Sequence, residues 1–153
     1  MMSGDAPTSS VAIERATAGD LPAVEALLVS AGLPLDGVAE AFATGVVAHD
    51  DGRLIGCAAV ELHGDAALVR SVAVEPAARG LGIGAALVTA VEDLARGAGA
   101  HEAYLLTETA EAWFPRFGYV PIPRSEAEPA IGASVEVQVA CTQTCATFRR
   151  SLD

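Results

Sequence analysis

Residues 72–87 constrain the fold of this chain more than any other stretch. They run from a β-branched apolar segment through a proline turn into a glycine loop, Arg79-Gly80-Leu81-Gly82-Ile83-Gly84, and continue as a helical pattern. Because glycine has no Cβ atom, main-chain N–H groups can approach an anion there, and the helix that follows adds the positive end of its dipole. Arg79 adds a fork of charged donors suited to phosphate oxygens. The stretch therefore predicts a strand, a phosphate-binding loop and a helix in direct succession.

The spacing of these glycines excludes two common nucleotide motifs. It is neither the G-x-G-x-x-G of dinucleotide-binding folds nor the Walker sequence, which ends in Lys followed by Ser or Thr. The stretch does fit Arg-x-x-Gly-x-Gly after a Val-Ala-Val strand. In this it strongly resembles the acetyl-CoA-binding motif of the GNAT superfamily of N-acetyltransferases. The alternative, an ordinary glycine-rich turn, is disfavoured by the combination of strand, arginine, spacing and helix.

The composition is that of one compact domain with an acidic surface. The chain has 153 residues, of which 52% are hydrophobic and 19% charged, so we expect a single domain over 11–153 behind a flexible N-terminus at 1–10. The net charge of −11 argues against unaided binding to nucleic acid or to an anionic membrane, because both need basic patches. The same charge suits a cationic or amine substrate.

The sequence shows no export or membrane signal. Its apolar runs fall short of the roughly 20 residues of a membrane span. Residues 1–10 lack the basic and then apolar order of a signal peptide. These features predict a cytoplasmic location, where the three cysteines are expected to be thiols rather than a disulfide framework.

Apolar periodicity and turn residues predict alternating strands and helices without an internal repeat. The predicted strands are 13–16, 46–49, 54–62, 66–74 and 103–106, with another starting at 117–120, and the predicted helices are 21–31, 36–44, 84–96 and 109–114. Residues 134–139 also alternate like a strand. This order predicts an α+β fold in which helices flank a mixed, mostly antiparallel, GNAT-like central sheet. The resemblance to the superfamily covers about residues 11–121.

A second landmark of the resemblance is the aromatic segment Trp113-Phe114-Pro115-Arg116-Phe117-Gly118-Tyr119. It is similar to the aromatic helix end of the superfamily, which is followed by glycine and an aromatic strand start. Plain core packing of the rings is the alternative, because aromatic residues at helix ends usually pack.

The resemblance implies the reaction and the cofactor-binding residues. An amine attacks the thioester carbonyl of acetyl-CoA, and the Val74 N–H polarises the acetyl oxygen. Backbone donors around Val72 and Val74 pair with the pantetheine arm, while Arg79 and the amides from Leu81 to Ala85 hold the pyrophosphate. Thr107 lies where relatives often carry a polar residue, although a turn or capping role is its alternative. The implied cofactor-binding set is Val72, Ala73, Val74, Arg79, Gly80, Leu81, Gly82, Ile83, Gly84, Ala85, Thr107 and Phe114.

The acid and base of the reaction are less well marked. Many relatives place a tyrosine beside the coenzyme sulfur, but the matching residue here is Phe114, which has no proton to give. Glu61, near the end of a predicted hairpin strand, is the candidate base for the ammonium proton, and a solvated strand-end carboxylate is its alternative. Arg70 interrupts an apolar strand and is a candidate to bind a substrate carboxylate or oxyanion. A structural ion pair with Glu61 is the alternative for Arg70.

Several phrases point to a narrower relative. Residues 54–58, 64–74, 104–107 and 140–146 together resemble the bacterial arsenic-resistance N-acetyltransferases. The resemblance suggests that Cys57, Cys141 and Cys145 converge on one trivalent arsenic atom, since thiolates are soft ligands. The spacing of the last two cysteines is not that of common zinc motifs. The alternative is that Cys57 is a small buried hydrophobe and that the other two are incidental thiols.

These observations predict an acetyl-CoA-dependent N-acetyltransferase that acts on a small-molecule amine, in a setting of arsenic resistance. One alternative is acetylation of a protein N-terminus or of another amine. A second alternative is a non-catalytic protein that binds acetyl-CoA and senses or sequesters arsenite; Phe114 favours it slightly. The apolar segment 131–140 supplies either a homodimer seam or part of the core.

Overall fold

A single mixed sheet organises the computed structural model, which describes residues 11–108, 110–134, 137–138 and 145–153. Seven strands within these ranges form the sheet in the order β1-β2-β3-β4-β5-β7-β6. Neighbouring strands are antiparallel except for β4 and β5, which run parallel. The strands are β1 Val11–Arg15, β2 Gly45–Asp50, β3 Arg53–His63, β4 Ala66–Val74, β5 Glu102–Thr107, β6 Val120–Ile122 and β7 Ala146–Ser151. The predicted α+β fold, with a mostly antiparallel sheet between helices, is confirmed.

Helices cover both faces of the sheet. They are α1 Leu21–Ser30, α2 Val38–Ala41, α3 Ile83–Gly97 and α4 Arg124–Ile131. Successive side chains of a strand point to opposite faces. On β3, Ala58 and Val60 accordingly pack towards α3, whereas Cys57 and Ala59 pack towards α1 and α2. α4 covers a separate apolar cluster that includes Leu68 and Tyr104. No described helix combines the length and apolar character that a membrane crossing needs.

β4 and β5 diverge in the middle of the sheet. Their parallel pairing ends at Leu68 and Tyr104, although β4 continues to Val74 and β5 to Thr107. In the described part of the chain, no strand therefore pairs with the β5-facing edge of β4 over residues 69–74. The pairing of β3 with β4 also shifts register between Cys57 and Ala59, beside Ser71, whose φ is +58°. The divergence and the bulge both involve β4, which carries residues 72–74 of the predicted cofactor-binding set.

Several predicted elements differ in kind from the observed ones. The helix predicted at 36–44 is the short α2 followed by a 3₁₀ turn at Phe42–Thr44. The helix predicted at 109–114 is instead a 3₁₀ turn at Phe114–Phe117, which ends at Gly118 with φ +89°. Thr109, the predicted cap, lies outside the described residues. Pro115 explains the second difference, because its ring clashes with the preceding turn of an α-helix.

The late part of the chain departs most from the predictions. The sequence patterns do not predict α4, which carries Pro129 in its interior. The alternating pattern at 134–139 predicts a strand, but Val137 and Gln138 are not extended. The remainder of that segment includes residues outside the described ranges.

Candidate active site

A cavity of about 810 Å³ opens where β4 and β5 diverge. It is bounded by β4 residues 69–74, the glycine loop, the end of β5, the aromatic segment and residues 31–34 after α1. The sequence-predicted cofactor residues therefore converge on one cavity. All of them line it except Leu81, whose side chain is 59% exposed.

The glycine loop has the backbone of an anion site. Gly80 and Gly82 have φ values of +86° and +81°, which L side chains rarely adopt. α3 begins directly after Gly82 and has no side-chain cap. The first N–H groups of a helix lack intrahelical partners and carry the positive end of its dipole. Because Gly84 and Ala85 in this first turn line the cavity, the loop fits the pyrophosphate of a coenzyme.

Arg79 is anchored to the end of β4. Its Nε donates a hydrogen bond to the carbonyl oxygen of Val74 at 3.0 Å, and the residue is exposed at the edge of the cavity. The guanidinium group is therefore held between the glycine loop and the strand that precedes it. A planar, always charged group in this place suits phosphate oxygens.

Aromatic rings form another wall of the cavity. Trp113 makes edge-to-face contacts with Phe114 and Phe117, at centroid distances of 4.8 and 4.6 Å. Phe114 in turn contacts Tyr119 at 5.9 Å. The rings thus pack as core residues, and Trp113, Phe114 and Phe117 also line the cavity.

No described tyrosine lines the cavity. The Tyr119 hydroxyl instead donates to Oε2 of Glu92 at 2.8 Å within the core. Burial, followed by the negative charge and hydrogen bond of Glu92, raises the pKa of Tyr119. The Tyr104 hydroxyl donates to Glu102 at 3.0 Å. Neither phenol is positioned at the cavity to protonate a thiolate there.

Glu61 and Arg70 form a structural ion pair. NH1 of Arg70 lies 2.8 Å from Oε2 of Glu61, and the Arg70 side chain is fully buried. NH2 of Arg70 donates to the carbonyl oxygen of Asp36 at 2.6 Å, and His63 lies 2.9 Å from Oε1 of Glu61. Burial opposes ionisation of Glu61, but hydrogen bonds from Arg70, His63 and Ser134 outweigh it and lower the pKa.

This geometry argues against the catalytic role expected for Glu61. Its carboxylate is engaged by Arg70 and His63, its lowered pKa makes it a weaker base than a free carboxylate, and it does not line the cavity. The alternative interpretation, an ion pair that fixes Arg70, fits the contacts. Arg70 lines the cavity, but its guanidinium group is committed to Glu61, Ser71 and Asp36.

Thr107 has a turn role as well as a place in the cavity wall. Its Oγ1 accepts a hydrogen bond from the main-chain N–H of Ala110 at 3.0 Å. This contact matches the capping alternative. Because Thr107 also lines the cavity, contact with a bound coenzyme remains a prediction.

Ser71 is a cavity residue that the sequence did not mark. Its Oγ accepts a hydrogen bond from Nε of Arg70 at 3.1 Å, and its backbone adopts the left-handed conformation. The surrounding pattern is simply that of a β-strand. The bulge that reorients Ser71 depends on the pairing of β4 with β3, which local sequence does not reveal.

The cysteines do not form the expected set of three accessible thiols. Cys57 is fully buried in the cluster beneath α1, and its Sγ donates to the main-chain oxygen of Ser71 at 3.4 Å. Burial raises the pKa of the Cys57 thiol to about 12. Cys145 is disulfide-bonded, and Cys141 lies outside the described residues. The expectation of three thiols is therefore wrong in this structure, because a buried thiol and a disulfide sulfur present no thiolate to arsenic.

Comparison with solved structures finds close matches to the fold. The Mycobacterium tuberculosis protein Rv2747, solved in complex with coenzyme A, is 25% identical with a TM-score of 0.75, over 92% of this chain and 98% of that chain. N-acetylglutamate synthase from Neisseria gonorrhoeae, complexed with coenzyme A and N-acetyl-glutamate, is 24% identical with a TM-score of 0.73, over 94% of this chain. The present chain covers 35% of that synthase.

A third similar structure is Arabidopsis thaliana Naa50 in complex with the bisubstrate analogue CoA-Ac-MVNAL, which is 18% identical with a TM-score of 0.69, over 93% of this chain and 99% of that chain. No curated protein matches the sequence. A family profile described as an acetyltransferase (GNAT) domain matches residues 42–121, about half of the chain, from the turn before β2 to the middle of β6. This match spans β4, the glycine loop, β5 and the aromatic segment, which line the cavity together with residues 31–34 outside the match. The chain therefore belongs to the GNAT family of acetyltransferases.

Proposed function

We propose that this chain transfers the acetyl group of acetyl-CoA to the amine of a small molecule of the amino-acid class. The single observation that carries the proposal is the cavity itself. It joins an anion-binding helix start to a strand edge that pairs with no strand in the described ranges, as a coenzyme with a pyrophosphate and a long arm requires. The coenzyme complexes of the Mycobacterium and Neisseria proteins support this use of the fold.

Each part of the cavity has a defined task in this proposal. The first amides of α3 and the Arg79 guanidinium hold the pyrophosphate. The unpaired edge of β4 holds the pantetheine arm through backbone groups of Val72, Ala73 and Val74. Bound acetyl-CoA supplies an activated thioester carbonyl. The Val74 N–H donates to the carbonyl oxygen, where negative charge develops as the amine attacks.

The choice of a small amine rests on the part of the cavity wall that lies outside the glycine loop and the aromatic segment. Residues 31–34, between α1 and α2, line the cavity, as does Arg70, whose guanidinium group is fixed to the carbonyl oxygen of Asp36. The net charge of −11 favours approach of a cationic amine. The N-acetyl-glutamate bound to the Neisseria synthase makes an amino acid the first acceptor class to test. An amino-acid arsenical belongs to the same chemical class, and its support is the sequence resemblance alone.

The competing function is a coenzyme-binding protein without turnover. The lack of a phenol at the cavity favours it. The buried Cys57 weakens the version of this function that senses arsenite through three thiols. Acetylation of a protein N-terminus is the same-class alternative. Its support is the similar structure of Naa50, which was solved with the bisubstrate analogue CoA-Ac-MVNAL.

The experiment is an acetylation assay with mass-spectrometric detection of product. The reduced protein is incubated with acetyl-CoA and, separately, with amino acids, amino-acid arsenicals, polyamines and short peptides. Acetylated amino acid above the no-enzyme control supports the proposal. Product only from peptides supports the N-terminal alternative, and calorimetric binding of acetyl-CoA without product from any amine supports the binding protein.

A further inference from the structure

Aminolysis of a thioester requires two proton movements. The sulfur that leaves as the C–S bond breaks must be protonated, and the nitrogen that forms the new C–N bond must lose a proton. Among the described residues that line the cavity, the side chains with a hydroxyl group are Ser71 and Thr107. The three lining arginines, Arg70, Arg79 and Arg116, do not give up protons in proteins. The lining carboxylate, Glu108, directly follows Thr107 at the end of β5 and, when ionised, can only accept a proton.

Ser71 is better placed than Thr107 for proton transfer at the reacting bond. It immediately precedes the Val72 to Val74 segment that is proposed to hold the acyl end of the coenzyme. Thr107 lies on β5, and its oxygen accepts from the uncharged main-chain N–H of Ala110, whereas the Ser71 oxygen accepts from a charged guanidinium group. Ser71 is only 8% exposed and still lines the cavity, so water competes little for its hydroxyl.

The backbone of Ser71 is held in a costly conformation. Its φ of +58° lies in the left-handed region, which an L residue inside a strand rarely adopts. Such outliers persist where the surroundings over-determine them, often at functional sites. Here the Cys57 thiol donates to the Ser71 carbonyl oxygen at 3.4 Å from the neighbouring strand. The bulge therefore fixes the position of the Ser71 backbone, and with it the direction in which the side chain leaves the strand.

The hydroxyl oxygen is in turn fixed by Arg70. Nε of Arg70 donates to Oγ of Ser71 at 3.1 Å, while the Glu61 carboxylate and the Asp36 carbonyl oxygen hold the rest of the guanidinium group. Because Oγ accepts this bond, the hydroxyl hydrogen of Ser71 must point away from Arg70. A cation that donates to Oγ also stabilises negative charge on that oxygen, which makes the hydroxyl a better proton donor.

We propose that Ser71 is a catalytic residue that passes a proton from the acceptor nitrogen to the coenzyme sulfur; this rests on the proposed function. As the C–S bond breaks, the hydroxyl proton of Ser71 moves to sulfur, which leaves as the thiol. Oγ takes one proton from the nitrogen that has formed the C–N bond, which restores the hydroxyl and leaves the neutral amide. An acceptor that arrives as an ammonium ion first loses one proton to solvent water, and the transfer from the neutral amine then needs no further reactant. Arg70 and Glu61 are positioning residues for this transfer.

The test removes the hydroxyl without adding strain. Ser71→Gly suits the left-handed backbone, and Ser71→Ala repeats the deletion with a Cβ atom present. Ser151→Ala is the matched control, because Ser151 is an exposed serine at the end of β7 that does not line the cavity. The readouts are kcat with the best amino acid, the Kd of acetyl-CoA by calorimetry, and the solvent deuterium isotope effect on kcat.

We expect kcat to fall about 100-fold in both Ser71 variants, the usual size of a lost acid–base contribution. The Kd of acetyl-CoA should change less than about threefold, and the solvent isotope effect should change. An active wild type with an equally active Ser71→Gly, or a loss that lies wholly in Kd, overturns this assignment alone. A wild type that binds acetyl-CoA but acetylates no amine overturns the proposed function and this assignment with it.

Discussion

The indole of Trp113 packs so closely against Gly84 that a Cβ atom built on Gly84 would lie 3.1 Å from Cζ2 of the ring. Gly84 belongs to the first turn of α3, so this contact joins the glycine-loop end of the cavity to its aromatic wall. Glycine is needed here for close approach, whereas Gly80 and Gly82 are needed for their backbone conformation. Trp113 is the one tryptophan of the chain, which makes it a spectroscopic reporter for this wall.

Gly84→Ala should weaken coenzyme binding without weakening the fold. The added Cβ must push Trp113 by a few tenths of an ångström, so we expect the Kd of acetyl-CoA to rise several-fold. Thermal stability should hold or rise, because alanine favours a helix over glycine by about 1 kcal/mol. Titration of Trp113 fluorescence with acetyl-CoA measures the Kd. The control is Gly97→Ala, because Gly97 is the last residue of α3 and an added Cβ there meets nothing within 4 Å. An unchanged Kd for Gly84→Ala would mean that the Trp113 contact does not shape the site.

Arg79→Ala should raise the Kd of acetyl-CoA roughly tenfold or more, because a charge-assisted hydrogen bond contributes about 1.5–3 kcal/mol. The loss should shrink at high salt, which screens the exposed guanidinium. Calorimetry at low and high ionic strength measures both effects. Arg15→Ala is the control, since Arg15 is exposed on the edge strand β1, away from the cavity. Equal affinity in the Arg79 variant and the wild type would remove Arg79 from the pyrophosphate site.

Glu61→Gln should destabilise the protein by about 2–4 kcal/mol, because it leaves the buried Arg70 charge without its carboxylate. The pKa of Glu61 is lowered on folding, so its stabilising contribution is present above its ordinary value of 4.5 and is lost as pH falls through the folded value. The difference in free energy of unfolding between variant and wild type should therefore be largest at pH 7 and should decrease as the pH is lowered.

Urea denaturation across this pH range is the measurement for the Glu61 variant. Glu126→Gln provides the comparison, because its carboxylate is half exposed and lies 3.9 Å from Arg149. We expect less than about 1 kcal/mol there. A Glu61→Gln difference that stays constant into acid would show that the charge of Glu61 does not stabilise the fold.

Tyr119→Phe should cost about 1.5–3 kcal/mol, because it deprives the buried Glu92 carboxylate of a hydrogen bond. Arg150 remains 3.4 Å from Glu92 and limits the loss. The pKa of each wild-type tyrosine is raised above its ordinary value of 10, so at pH 10 both should be less ionised than free tyrosine. Absorbance titration follows this ionisation. Release of one proton per chain near pH 10 would contradict the buried geometry.

The part of the cavity formed by the glycine loop could be predicted from the sequence, because the signals for this loop are local. The alternating glycines and Arg79 specify a loop conformation within a few residues, and the Asp50-Asp51-Gly52 turn specifies the hairpin that precedes it. Both appear where they were expected. Pro115 is also a local signal, and it accounts for the 3₁₀ turn at Phe114–Phe117 in place of the helix predicted at 109–114.

The part of the cavity around Ser71 could be predicted only in part, because its contacts are long-range. The sequence left the Glu61–Arg70 ion pair and a buried Cys57 as alternatives, and the packed structure confirms both. The sequence did not predict that Arg70 reaches Asp36 in a distant loop. The register shift that turns Ser71 into the left-handed region also has no local signal, because serine is not a residue type that indicates a positive φ.

The central claim is that the cavity transfers an acetyl group rather than merely binding its donor. The most direct measurement mixes the protein with acetyl-CoA carrying an isotope-labelled acetyl group and an amino acid, quenches at intervals, and follows the label by mass spectrometry. The account predicts that label appears on the amino-acid nitrogen at the rate at which free coenzyme A is released. When the acetyl-CoA concentration is below saturation, Arg79→Ala should slow both the transfer of label and the release of coenzyme A. Saturable binding of acetyl-CoA with no label on any acceptor amine would contradict it.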